Sequence, residues 1–293
     1  MNPNSHATSS QPGQNESMIG KVVLITGGTS GIGKATALGL ARRGATLILA
    51  GRNLQRCREA VDEIKRATGN SNINYLTGDL ASQKEIRCLA REFGERQSRL
   101  DVLINNAGGL FMRRLLSADG IEMTFALNHL ACFLLTNLLL DLLKASPGSR
   151  IVNVSSIAHK FARIDFSNLQ AHGWGGYERS KLANLLFTYE LSRRLEGTGV
   201  TANALHPGLV DSNFGMNNPG LFRLLKPIFN LFSINTEEGA KTSIYLASSP
   251  EVQGITGKYF VRCREKRSSR ASYSKETSAR LWQISAEMTG LNM

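Results

Sequence analysis

Val22-Val23-Leu24-Ile25-Thr26 runs without a spacer into Gly27-Gly28-Thr29-Ser30-Gly31-Ile32-Gly33, where a helical pattern begins. A strand that turns through glycines directly into a helix admits few folds. The turn must be tight and the helix must pack closely on the strand. The N–H groups and positive dipole end of the helix then lie beyond the strand's carboxyl end, where a phosphate is stabilised. Gly27, Gly31 and Gly33 meet that demand in a spacing that differs from Gly-x-Gly-x-x-Gly. With Thr29, Ser30 and Ile32 they form a candidate cradle for a dinucleotide pyrophosphate.

Beyond that turn, β-branched or aliphatic runs alternate with amphipathic helical patterns, the order expected of a parallel sheet covered on both faces. The spacing predicts strands over 21–26, 46–51, 73–77, 100–105, 150–155, 200–206 and 258–261, and helices over 33–43, 54–68, 83–97, 121–144, 177–195 and 237–248. One α/β domain over 18–293 accounts for them: a doubly wound parallel sheet of about seven strands with helices on both faces. Right-handed crossovers bring the carboxyl ends of the strands to one edge, so Asn105, Ser156 and Pro207 should gather there. Residues 1–17, rich in Asn, Ser, Gln, Thr, Gly and Pro, are expected to form a disordered polar tail.

A chain of 293 residues, 42% of them hydrophobic, can bury a large core. Its opening lacks the basic start and apolar centre of a signal peptide. The most apolar stretch, 125–143, is interrupted by Asn128, His129, Thr136, Asn137 and Asp141 and suits a helix buried in protein rather than lipid. Cys57, Cys88, Cys132 and Cys263 are scattered without a Cys-x-x-Cys pair, which points to a reducing, cytoplasmic setting and to neither a disulfide framework nor a zinc site. The net charge of +12 fits an acidic partner, an anionic cofactor, a membrane surface or simply an Arg-rich exterior.

Tyr177 and Lys181, four positions apart, share a helix face, and a cation beside a phenol favours the phenolate. The phenol is therefore expected to titrate below its ordinary range and to exchange protons near neutral pH. At the end of the second strand stands Gly51-Arg52. A carboxylate there would suit free ribose hydroxyls, whereas a small residue and a guanidinium suit a 2′-phosphate. This predicts a preference for NADP(H), with a solvated surface arginine as the plain alternative. Asp79, followed by Leu80, either accepts a hydrogen bond from an adenine amino group or caps a helix.

Taken in order, Thr26 to Gly33, Asn105-Asn106-Ala107-Gly108, Asn128, Ser156, Tyr177 with Lys181, and His206-Pro207-Gly208 resemble the short-chain dehydrogenase/reductase family over nearly everything from Lys21 onward. Asn128-His129-Leu130, Ser155-Ser156-Ile157-Ala158-His159, Ser180-Lys181-Leu182-Ala183-Asn184, Lys258-Tyr259-Phe260 and Leu281-Trp282 are similar to its retinol dehydrogenase-like branch. Ser212 stands where a Thr is usual and keeps the hydroxyl. The resemblance implies a single Rossmann-type domain and hydride transfer between nicotinamide C4 and the carbonyl or alcohol carbon of a lipophilic substrate, with NADP(H) as cofactor.

The same resemblance implies Tyr177 as general acid in reduction and base in oxidation, with Lys181 tuning the phenol and holding the nicotinamide ribose. Ser156 would donate a hydrogen bond to the substrate oxygen, and Asn128 would help order a proton-relaying water chain, with a buried Asn tying helix backbone as the structural alternative. Ser155 competes with Ser156, but alternation at a strand end lets only one face the site. Implied cofactor contacts are Gly27, Thr29, Ser30, Gly31, Ile32, Gly33, Arg52, Asp79, Leu80, Asn106, Ala107, Gly108, Tyr177, Lys181, Pro207, Gly208 and Val210. No metal is called for, and His129, His159 and His206 are read as structural.

The apolar stretch 209–235, with Phe214, Met216, Leu221, Phe222 and Phe232, is expected to be a substrate lid; an ordinary packed helix pair is the alternative. Arg223 and Lys226 within it, and Arg262, Arg264, Lys266, Arg267 and Arg270 further on, would suit peripheral contact with an anionic membrane surface. A dinucleotide-bound redox sensor without turnover is the rival reading, weakened by the intact Ser156, Tyr177 and Lys181. Nucleic-acid binding has no motif to support it. The helices carrying Asn128 and Tyr177 pair subunits in many family members, so a homodimer or homotetramer is expected.

Overall fold

The computed structural model describes residues 17–208 and 235–291. The expectations for the tail before residue 17, for Val210 and Ser212 and for the lid over 209–234 therefore fall outside the described residues. Strand β1 (Val22–Thr26) is buried along its whole length, as a central strand must be. β2 (Thr46–Gly51) and β3 (Ile73–Thr77) lie to one side of it. On the other side follow β4 (Val102–Asn105), β5 (Arg150–Val154), β6 (Thr201–His206) and β7 (Tyr259–Val261). These seven strands pair in parallel.

Because side chains alternate along a strand, Val23 and Ile25 enter one core layer and Val22 and Leu24 the other. The first layer is closed by α1 (Gly31–Ala41), α2 (Leu54–Thr68) and α8 (Thr236–Ser248), through side chains such as Leu40, Ile64 and Leu246. The second is closed by α3 (Gln83–Arg96), α5 (Ala131–Leu138), α7 (Gly173–Arg194) and α9 (Lys275–Thr289), through Phe93, Phe133, Phe187 and Trp282. Burying each such side chain contributes about 1.5–3 kcal/mol over leaving it exposed. The doubly wound α/β architecture is thus the one expected from the sequence.

Four details differ. An eighth strand, β8 (Arg264–Lys266), adds to the sheet antiparallel to β7. Its turn, Arg262-Cys263, adopts positive φ at both residues without Gly or Asn, and its fully exposed Arg-Glu-Lys sequence carries no apolar alternation to mark a strand. Charges on such an edge oppose pairing with another chain. A final helix, α9, was also not anticipated: small polar residues interleave Leu281, Trp282 and Ala286 on its buried face and hide the period.

The helix expected over 121–144 is instead broken. α4 (Met123–Phe125) leads into a π turn over Ala126–Leu130, then α5, a break at Leu139 and α6 (Leu140–Lys144). The wider π turn aims Asn128 and His129 inward together, where both find partners. Helix α7 starts at Gly173, one turn before Tyr177. Glycine-rich Gly173-Trp174-Gly175-Gly176 has poor helix propensity. The absence of a side chain at Gly176 is required, since a Cβ there would lie 2.0 Å from the Ala171 carbonyl oxygen.

The turn between β1 and α1 follows the same rule. Gly27 has φ +65°, and a Cβ on Gly33 would lie 2.2 Å from the Gly27 carbonyl oxygen and 2.5 Å from Asn106 Nδ2. Gly33→Ala is expected to lower unfolding free energy by about 1–3 kcal/mol through overpacking against backbone. Gly175→Ala, whose Cβ would meet nothing within 4 Å, should show no loss in the same urea titration.

His129 is buried among the rings of Phe125, Phe133 and Phe187, and its nitrogens meet Asn184 Oδ1 at 3.3 Å and Ser285 Oγ at 2.9 Å. Burial pushes its imidazole down to about 4. A folded-state value below the unfolded value of 6.5 means that the unfolded chain binds the proton first. Stability from this residue is therefore complete above about pH 6.5 and is lost as pH falls toward about 4. Urea unfolding should show a loss of about 2 kcal/mol between about pH 7.5 and pH 5 from this group, and His129→Gln should flatten that part of the curve.

Candidate active site

The loops after β1 and β4 are tied together at Thr26. Its Oγ1 accepts from the backbone N–H groups of Asn106 (2.9 Å) and Ala107 (3.0 Å), and Asn106 Nδ2 donates to the carbonyls of Thr26 (2.9 Å) and Gly27 (3.3 Å). Asn105, by contrast, turns into the core, where its Nδ2 donates to Thr136 Oγ1 and Asn153 Oδ1. Ser30 precedes α1 in extended conformation without a side-chain cap, and the first turn of the helix holds no acidic residue. The amide groups at that end are left for an external acceptor. Together with the close Gly27–Gly33 approach, they fit a dinucleotide phosphate.

Gly51 closes β2 where a Cβ would meet Thr29 Cγ2 and Cys57 Sγ at 3.0 Å. Arg52 beside it is exposed, and Asn53, not Arg52, caps α2 by accepting from Arg56 N. The guanidinium is thus placed at the end of the strand with no capping duty. Asp79 does not cap α3; Ser82 does. Instead, Asp79 Oδ1 accepts from Ala81 N at 3.0 Å and its own N–H donates to Glu85 Oε2 at 2.6 Å. Leu80 belongs to the core, so only its backbone can serve a ligand.

At the end of β5 the two serines separate as alternation requires. Ser155 is buried and its Oγ donates to the Lys181 carbonyl at 2.8 Å, a structural task. Ser156 is partly accessible; its Oγ accepts from Ala158 N at 3.2 Å, and the hydroxyl is near enough to Tyr177 to favour the phenolate. Lys181 Nζ donates to the Val154 carbonyl at 3.1 Å and lies 5.7 Å from the centroid of the Tyr177 ring. Gly108 joins this cluster: a Cβ there would lie 3.1 Å from Asn128 Oδ1 and 3.4 Å from Lys181 Nζ. Pro207 and Gly208, the latter at φ +98°, follow β6 on the same edge.

One expectation needs correction. The Tyr177 phenol is not lowered: burial pushes it up to about 12, against the Ser156 hydrogen bond that pulls the other way. Lys181 is itself driven down to about 8 by burial, with Cys132 opposing. Desolvation outweighs the lysine's attraction because both groups are removed from water. Asn128 Oδ1 accepts from Gly109 N (2.7 Å), and its Nδ2 donates to Gly109 O and Ser180 Oγ (both 2.9 Å), which fastens the loop after β4 to α7 and leaves one acceptor site on Oδ1.

Trp174 escaped the sequence reading, hidden among glycines. It is 50% exposed, with its ring centroid 5.7 Å from that of Tyr177. The loop carrying Phe111 and exposed Met112 is joined to it, Gly173 N donating to Phe111 O at 3.0 Å. A cavity of about 650 Å³ lined by Arg114, Phe166, Leu169, His172 and Met288 contains none of the clustered serine, tyrosine and lysine. Among the described residues no group of three His, Cys, Asp or Glu could hold a metal ion, and no helix is long and apolar enough to cross a membrane.

Residues 21–219 match the short chain dehydrogenase family. The chain is 46% identical to human retinol dehydrogenase 14 over 94% of its own length and 88% of that relative, and 45% identical to human retinol dehydrogenase 13 over 93% and 85%. Among solved structures, an uncharacterised protein of Mycobacterium paratuberculosis superposes with TM-score 0.77 at 32% identity, covering 94% of this chain and 96% of that one. The Pseudomonas aeruginosa RhlG complex with NADP superposes with TM-score 0.69 at 28% identity, covering 85% and 96%. Sheet order, glycine turn and the Ser156–Tyr177–Lys181 cluster thus agree with a whole-chain likeness, and the chain belongs to the short-chain dehydrogenase/reductase family of oxidoreductases.

Proposed function

We propose that this protein is an NADP(H)-dependent reductase of lipophilic aldehydes or ketones, of the kind that retinal represents. The observation that carries the reading is the gathering of Ser156, the buried Tyr177 phenol and Lys181 at the end of β5, with Lys181 Nζ 5.7 Å from the Tyr177 ring centroid and bonded to Val154 O. Bound along the glycine turn and the 106–108 loop, the nicotinamide cofactor supplies the hydride to the carbonyl carbon. Ser156 Oγ and Tyr177 Oη hold the carbonyl oxygen, and Tyr177 gives it the proton as negative charge develops. A phenol that burial holds up keeps its proton at neutral pH, which suits the acid role in reduction. Lys181, anchored on Val154 O, places its ammonium beside the phenol that loses the proton.

The substrate class rests on the surroundings of the phenol. Trp174, Met112 and Phe161 are exposed apolar side chains on the segments that flank Tyr177 and Ser156, a wall suited to a greasy chain and poor for a sugar or acid. The retinol dehydrogenase names of the relatives support the same class. The phosphorylated cofactor is supported by Gly51 and Arg52 and by the RhlG complex with NADP. The joint presence of Ser156, Tyr177 and Lys181 speaks against a sensor without turnover, which needs no proton donor at the nicotinamide.

NADPH oxidation measured with a panel running from short polar aldehydes to retinal should rise toward the long apolar members. Tyr177→Phe should bind NADPH normally yet lose at least about a hundredfold in kcat; near-normal turnover defeats the assignment. Arg52→Ala should weaken NADPH about tenfold or more while leaving NADH within about twofold. Equal losses for the two cofactors would remove the basis for choosing between them.

A further inference from the structure

The peptide unit joining Ser156 to Ile157 is held on both of its polar atoms by histidines. Its carbonyl, on Ser156, accepts from His159 Nδ1, and its N–H, on Ile157, donates to His206 Nδ1 at 3.3 Å. The remaining nitrogen of His159, Nε2, accepts from Ser269 N at 3.1 Å. These partners leave no freedom of tautomer. A carbonyl can only accept, so His159 carries its proton on Nδ1; a backbone N–H can only donate, so His206 carries its proton on Nε2. Both rings are buried, and His159 packs edge-on against Tyr259 at 5.1 Å.

We infer that His159 and His206 are a pair of positioning residues that clamp the Ser156–Ile157 peptide, and so aim the Ser156 hydroxyl, only while both rings are neutral. The clamp links three pieces of chain that carry the chemistry: the serine after β5, the Pro207-Gly208 turn that His206 precedes, and the segment at Ser269 beyond β8. Ser156 Oγ is two bonds from the Cα that begins the clamped unit, and it accepts from Ala158 N beside Tyr177, so a rotation of the peptide would move it away from both. A proton added to His206 turns Nδ1 into a donor aimed at the Ile157 N–H, which breaks that contact; one added to His159 leaves Nδ1 on the Ser156 carbonyl but aims Nε2–H at the Ser269 N–H, which costs the ring its anchor. The charged neighbours oppose that proton: Lys160 faces His159, and His159, Lys160, Arg262 and Lys181 face His206. The arrangement makes turnover fall on the acid side through loss of geometry rather than loss of a catalytic proton.

This inference rests on the proposed role of Ser156, and the test separates the two. kcat and KM of the full chain are measured from about pH 4 to pH 8 with NADPH and the best aldehyde. His159→Leu and His206→Leu should lower kcat at least about tenfold with the KM for NADPH held within about twofold. His159→Asn and His206→Asn, whose amides can replace Nδ1 as donor or acceptor without titrating, should restore much of that loss and flatten the acid limb. Wild-type kcat in folded Leu variants overturns the inference. If those variants do not fold, an unchanged acid limb in the Asn variants overturns it instead. Ser156→Ala decides the underlying reading: full activity there removes the serine's role, whereas an inactive Ser156→Ala beside normal histidine variants removes the clamp alone.

Discussion

A reciprocal pair of hydrogen bonds between β5 and α7 sets the chemistry of this molecule. Lys181 Nζ donates to the Val154 carbonyl, and Ser155 Oγ donates to the Lys181 carbonyl, so strand end and helix each hold the other. The amine is 4% exposed, and removing it from water is costly unless it is bound. Further along the same two elements, Asn153 Nδ2 donates to Thr188 Oγ1, and Asn153 in turn accepts from Asn105 on β4. This buried polar ladder fixes the register of α7 on the sheet. One helical turn before Lys181, Tyr177 is then carried to Ser156, because residues four apart share a face.

The second constraint is steric. At Gly33 and Gly176 a single carbon would collide with backbone oxygen, at 2.2 and 2.0 Å. The first position brings α1 against the turn after β1, and the second lets chain 171–176 fold tightly just ahead of Tyr177. Both elements end close to the same sheet edge, where the loops after β1, β4, β5 and β6 meet. Burial there has an electrostatic consequence. Tyr177 is pushed up, while Lys181, His159 and His206 are pushed down, so each of these groups is driven toward its neutral form.

Much of this was legible from residues alone. The alternation of aliphatic runs with helical patterns placed seven strands and their order of appearance, since each strand buried on both faces needs a continuous apolar run. The spacing of the glycines and the joint occurrence of Ser156, Tyr177 and Lys181 located the site. What stayed hidden had local signals that were absent or contrary. β8 is all charged, α9 buries small polar residues, and the Trp174 turn of α7 is built of glycines. The break in the long helix at 126–130 depends on partners for Asn128 and His129 that lie far away in sequence, at Gly109, Ser180, Asn184 and Ser285.

Local patterning by itself determined that this chain makes a doubly wound α/β sheet with a glycine turn at its first strand, because periodicity and backbone freedom are properties of neighbouring residues. Only tertiary packing decided the protonation balance of the site: side by side in sequence, a lysine and a tyrosine suggest a lowered phenol, yet the enclosed pair is governed by desolvation. Only packing, too, brought His206 to the peptide bond that His159 reaches from three residues away, since that meeting is created by the parallel pairing of β5 with β6.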